Sequence, residues 1–309
     1  MMDFENNPAF LLLLSKFTLP SCLENLQPRA VWQNALKGDP AVVLKQLFDE
    51  GYLQSTDLIS VLPSAFGSTE LKKIAKERGV PFSGTKDVLA KRLVKADAEG
   101  MAKLVDVTKY FVCSEKGRLA AVNFENAERE KKRRAEQESV ELLQKGQFQE
   151  ACLKIAAYEN SKVSKRGVGI DWANHSFNNE ISILKFLFSC VPKRLAGTPE
   201  EKLTQLRVAA GADLLWGGSI SWLYKPDLDE IGLDSDAAAM FLLAGARHKQ
   251  QIQTMKAAAI KLVEILGGGS CAECKKQAGK IYDIDKVPEI PFENCTCENG
   301  YLCSAIAKM

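Results

Sequence analysis

Two groups of residues in this chain carry recognisable chemistry. The first is a cysteine cluster. Five of the nine cysteines, Cys271, Cys274, Cys295, Cys297 and Cys303, fall within the last 39 residues. Thiolates at the C-x2-C spacing of Cys271 and Cys274 grip one ion from a tight turn, and a second pair returned by a hairpin completes a tetrahedron. Five thiols compete for four positions. Cys271, Cys274 and Cys295 are expected as ligands, with Cys303 slightly ahead of Cys297 because Cys295 and Cys297 would form a tight chelate. A structural Zn2+ is the expected cofactor; reduced buried thiols, a disulfide and an iron–sulfur cluster are the alternatives. The second group is basic. Between residues 70 and 95, Lys72, Lys73, Lys76, Arg78, Lys86, Lys91, Arg92 and Lys95 stand against Glu70, Glu77 and Asp87, a local excess of +5 in a chain of net charge +2. Lysines and arginines without base-reading Asn or Gln point to phosphate contacts, with little sequence preference and a strong salt dependence.

Each group needs elements to position it. Ser68 to Arg78 reads as one helix, stopped at Gly79, and about Lys86 to Ala96 as a second. Leu71, Ile74, Val80, Leu89 and Leu93 can close a small core between them. Gly84 lets the chain turn, and the free N–H groups at Ser83, Gly84 and Thr85 make the start of the second helix a phosphate site. The expected phosphate-contacting residues are therefore Lys72, Lys73, Lys76, Arg78, Ser83, Gly84, Thr85, Lys86, Lys91 and Arg92. In the tail, Gly279 to Ile284 alternates like a strand, and Pro288 and Pro291 steer its return. A unit of about 40 residues has too little core to fold on apolar burial alone, so a metal staple suits it. Its charge, five lysines against six acids, makes it a protein-contact piece and not a DNA reader.

The pattern Leu71-Lys72, Gly79-Val80, Gly84, Lys86, Leu89, Arg92 and Leu93 resembles the SAP-domain family over residues about 64–97. Ala75 departs from it, standing where the family usually has a large aliphatic residue. The resemblance implies a helix–turn–helix module that associates with double-stranded DNA. The order Cys271-x2-Cys274, Gly279, Tyr282, Pro288, Pro291, Cys295-x-Cys297 resembles, more weakly, the C-terminal segment of phage Mu-F-like head-morphogenesis proteins. Phe292, Glu293 and Thr296 depart from that pattern. This second resemblance implies a phage or prophage origin.

The rest of the chain reads as mainly α. A terminal segment, 1–37, carries Phe10 to Leu14 and Phe17 on a short helix. A helical unit, 38–124, opens at Asp39-Pro40, includes a helix from Asp57 to Leu62 and a strand over 105–112, and contains the SAP-like motif. A charged linker helix, 125–140, holds five basic and four acidic residues between Glu128 and Glu138. A helical domain, 141–268, starts with a hairpin from Leu142 to Tyr158, continues through a helix from Ile181 to Cys190, and ends with one from Ala237 to Leu266. After a flexible Gly267-Gly268-Gly269-Ser270 joint, 269–309 forms a separate zinc-binding β-hairpin module.

Composition excludes several classes. No apolar run approaches the about 20 residues a membrane helix needs. Asp3 and Glu5 sit where a signal peptide would carry basic residues, so a cytoplasmic location is expected, virion-associated if the protein is phage-derived. That compartment disfavours disulfides. There is no Gly-rich phosphate loop, no G-x-S-x-G and no H-E-x-x-H. Asp171, His175 and Glu180 are the nearest approach to a nuclease cluster, and capping is the simpler role for them. The expectation is a non-enzymatic DNA-associated protein with no small-molecule substrate and with protein contacts through the middle domain or tail. A phage-head or other assembly protein is the first alternative, and a nuclease the weaker one.

Overall fold

The computed structural model describes residues 4, 6–167, 169–218, 220, 222–228, 232–297 and 303–308. The chain divides into two compact units, Met1–Glu130 and Lys131–Met309. Both are mainly helical, and each carries one small antiparallel sheet.

The first unit begins with α1 (Pro8–Leu14), whose start is capped by the Asn7 side-chain oxygen Oδ1 accepting from the Ala9 N–H. Phe10, Leu13, Leu14 and the following Phe17 are buried, so the terminal segment is part of a core. Next come β1 (Ser21–Cys22), α2 (Arg29–Leu36) and α3 (Pro40–Asp49). Asp39 caps α3 through the Ala41 N–H, with Pro40 in the first turn, as the Asp-Pro pair predicts. Then follow β2 (Leu53–Ser55), α4 (Leu58–Ala65), α5 (Ser68–Glu77), α6 (Lys86–Ala102) and β3 (Tyr110–Cys113). The strand expected over 105–112 is shorter and later, because a single 3-10 turn occupies Val107–Lys109. In the sheet β3 lies between β1 and β2.

Helix α7 (Glu115–Gln144) contains the division between the units. The charged run at 125–140 is therefore the middle of one 30-residue helix and not an element of its own. Its start is capped by the Ser114 hydroxyl, which accepts from the Gly117 N–H at 3.1 Å.

In the second unit, the end of α7 and α8 (Phe148–Ser161) form the helical hairpin the sequence indicates, turning at Gly146. Helices α9 (Asn178–Ser189), α10 (Glu200–Trp216) and α11 (Ser235–Ala257) pack against one another. After α11 the chain forms β4 (Leu262–Leu266), α12 (Ala272–Gln277), β5 (Ile281–Asp283) and β6 (Ser304–Ala307).

Two expectations are corrected here. The last long helix does not run to Leu266: it stops at Ala257, and 262–266 is a strand. Nor does the glycine run detach a module. Strand β4, before the glycines, is the centre of the sheet, with β5 on one side and β6 on the other. Ile265, Ile290, Phe292, Ala305 and the buried tail cysteines share one core with Leu184, Phe241 and Leu242 of the helices. A short strand flanked by lysines and glycines has too little alternation to announce itself; its partners make it a strand.

Candidate nucleic-acid interface and candidate metal centre

Helices α5 and α6 close over Leu71, Ile74, Ala75, Leu89, Ala90 and Leu93, all buried. The same cluster takes Val61 and Leu62 from α4 and Met101 and Val105 from beyond the hairpin. Val80 is only partly buried at its edge. The small Ala75 is fully covered, so α4 supplies volume that a larger side chain would have occupied. Thr85 caps α6 by accepting from the Val88 N–H. Gly84 has φ +117°, a conformation that side chains rarely adopt, and this glycine is what lets the loop turn into α6.

The basic residues do not all face solvent freely. The Lys86 ammonium donates to the Pro63 carbonyl at 2.8 Å, tying α6 to α4. The Arg92 guanidinium donates to the Pro81 and Ser83 carbonyls at 3.2 and 2.7 Å, bracing the loop from behind. Arg78 donates from Nε to Asp97 at 3.0 Å. Asp97 also accepts from the Gly100 N–H, at the kink inside α6, where the sequence reading ended the helix. The hydrogen bonds from Arg78 and the Gly100 N–H hold the Asp97 carboxyl below its ordinary range. Lys73 pairs loosely with Glu77 at 3.9 Å, and Lys76 lies over the Phe82 ring, 4.6 Å from its centroid. Lys72, Lys91 and Lys95 are exposed and have no ion-pair partner among the described residues. Ser83, Gly84 and Thr85 are exposed beside the start of α6. The roles of Lys86, Arg92 and Asp97 as internal braces leave no mark in the local sequence, since their partners are carbonyls and a guanidinium brought close by folding.

In the second unit, the Sγ atoms of Cys271, Cys274, Cys295 and Cys297 lie within 4.8 Å of one another. Cys274 is 3.6 Å from Cys295 and 3.8 Å from Cys297, and Cys271 is 3.9 Å from Cys295. A disulfide needs about 2.05 Å. Thiolates bound at about 2.3 Å to one tetrahedral ion stand about 3.8 Å apart, and these three separations lie close to that figure. Cys271 is the N-cap of α12, its sulfur accepting from the Cys274 N–H at 3.5 Å. Gly269 passes so close that a Cβ there would stand 2.6 Å from the Cys274 sulfur and 3.1 Å from that of Cys297.

The preference between the two last cysteines reverses. Cys297, and not Cys303, joins the four; Cys303 is buried beside them, just before β6. A Cys-x-Cys pair reaches one centre when its intervening backbone is not a regular strand, which spacing alone does not reveal. Burial opposes ionisation of Cys271, but N–H groups of Cys274 and Thr296 and the neighbouring thiols outweigh it, bringing the thiol down to about 6. Burial pushes Cys295 up to about 11 and Cys274 further up. A metal arriving here must displace protons from the buried thiols, and it supplies the positive charge they lack.

The Asp171–His175 segment is occupied otherwise. The Asp171 carboxylate accepts from the Ala173 N–H and the Asn174 side chain, while His175 packs edge-on against Phe177, 4.5 Å between ring centres. His248 is buried, and burial brings its imidazole down to about 4. No described helix is long and apolar enough to cross a membrane.

The SAP domain model matches residues 68–98, which covers α5, the loop and α6 to its kink. No curated protein and no solved structure matches the chain.

Proposed function

We propose that the chain is a non-enzymatic DNA-associated protein that contacts duplex phosphates through the α5–α6 hairpin. What carries this reading is a SAP-type hairpin whose Lys72, Lys91 and Lys95 project into solvent with no acidic partner among the described residues. Lys73 and Lys76 add charge, and the exposed N–H groups from Ser83 to Thr85 suit a phosphate oxygen. Lys86, Arg78 and Arg92 serve this surface indirectly, by holding the loop and the helices in place. Binding is weak in sequence preference and falls steeply with salt. The four-thiol cluster holds one structural Zn2+, which fixes the ends of the second unit's sheet; that unit is available for protein contacts. A non-catalytic reading is supported by Asp171 and His175, which are taken up by a turn and by ring packing.

Fluorescence anisotropy of the full chain with random duplex DNA at several salt concentrations tests the first part. Lys72→Ala and Lys91→Ala should each weaken binding to all sequences alike and lower the salt slope by about 1. Unchanged affinity and slope in both variants would remove the phosphate assignment. Product formation from DNA with Mg2+ would overturn the non-enzymatic reading.

A further inference from the structure

The loop between α5 and α6 presents a large apolar side chain to solvent. Phe82 is 49% exposed, in a turn whose neighbours Pro81, Ser83 and Gly84 are also exposed. Single exposed apolar residues are common and ordinarily mean little. This one is held differently. The Arg92 guanidinium grips the carbonyls immediately before and after it, those of Pro81 and Ser83. The loop leaves α5 through Gly79 at φ +65° and enters α6 through Gly84 at φ +117°. Phe82 is thus displayed by a braced turn and has not simply failed to find a core. The Lys76 ammonium stands over its ring. Lys72 lies one helical turn from Lys76 on the same face of α5. The apolar tip therefore sits among cations that would draw a phosphate backbone up to it.

A flat ring at the tip of a positively charged turn fits a base step better than it fits a phosphate. Proteins that kink duplex DNA insert such side chains from the groove, partly unstacking a step whose phosphates are held on either side. Resting on the proposed association with DNA, we infer that Phe82 is a wedge that enters the groove and unstacks a base step. It adds a salt-independent contact to the salt-dependent ones, and it favours flexible pyrimidine–purine steps over stiff A-tracts.

The test uses the full chain, since truncating an exposed ring leaves the core untouched. Phe82→Ala and Phe82→Leu are compared with the unaltered protein on a 20-base-pair duplex carrying 2-aminopurine beside a central TA step. Phe82→Ala should lose about tenfold in affinity, the scale of one buried apolar contact, with the slope of affinity against salt unchanged. Phe82→Leu should recover most of that loss. At saturating protein, 2-aminopurine fluorescence should rise with the unaltered protein and stay flat with Phe82→Ala. Equal affinity and equal fluorescence for Phe82→Ala would overturn the wedge while leaving the phosphate contacts standing. Absence of any duplex binding by the unaltered protein would overturn the wedge together with the association it rests on.

Discussion

Between Ser68 and Ala102 the chain closes a core almost by itself, whereas between Leu262 and Ala307 it brings together strands and thiols that have little apolar area of their own. In the hairpin, Leu71, Ile74, Leu89 and Leu93 meet across the loop at 78–85, joined by Val61 and Leu62 from the preceding helix and by Met101 and Val105 just beyond. In the thiol region, Cys274 meets Cys295 across 21 residues, and β4 pairs with β6 across about twice that length. The first site is therefore a surface decorated on a local fold. The second is a junction, at which four thiols able to hold a metal ion meet beside a three-stranded sheet. The two should respond differently to damage: the hairpin to loss of apolar volume, the junction to loss of a sulfur.

The largest effect is expected at the junction. Structural zinc sites contribute about 10–16 kcal/mol of binding free energy to the folded state. Cys274→Ser removes one of four expected ligands, and a fully buried one, so metal content by elemental analysis should fall from one ion per chain to well below it. The melting temperature should drop by about 10 °C or more. Cys297→Ser should behave similarly, and Cys303→Ser should keep its metal. If instead Cys303→Ser empties the site and Cys297→Ser does not, the ligand set is the one the spacing favours and not the one the fold assembles.

The hairpin's core comes next. Leu93 is fully buried, and Leu93→Ala should cost about 2–5 kcal/mol in urea unfolding. Full metal content in that variant would keep the two responses separate; loss of metal would mean the two regions are not independent.

The smallest effect sharpens the contrast from the side of charge. Asp97 has its carboxyl lowered by Arg78 and the Gly100 N–H, so its folded value lies below the unfolded one. The stability it lends is complete above the ordinary carboxylate range near 4 and fades as pH falls through the folded value. The gap in urea midpoint between the unaltered chain and Asp97→Asn should be clear at pH 6 and should narrow at pH 3. A gap independent of pH would mean that the bend is held by something other than this carboxylate.

The sequence by itself determined much of the local structure of the hairpin region and the grouping of the tail thiols. The helix limits around Ser68 to Gly79, the start of the next helix at Lys86, the cap at Asp39, the turn at Gly146 and the crowding of cysteines in the tail all follow from short-range rules. Apolar spacing, capping side chains and glycines act over one or two turns, and a reader of the sequence sees them directly. The tertiary structure decided where long-range partners fall. It made 262–266 a strand, because two other strands pair with it. It joined the tail to the helical core through Ile265, Ile290 and Phe292. It brought Cys297 in place of Cys303 to the sulfur tetrahedron. It also engaged Lys86 with the Pro63 carbonyl and Arg92 with those of Pro81 and Ser83, partners that only folding brings close. Residue type fixes what a side chain can bind; only the packed chain fixes which partner arrives first.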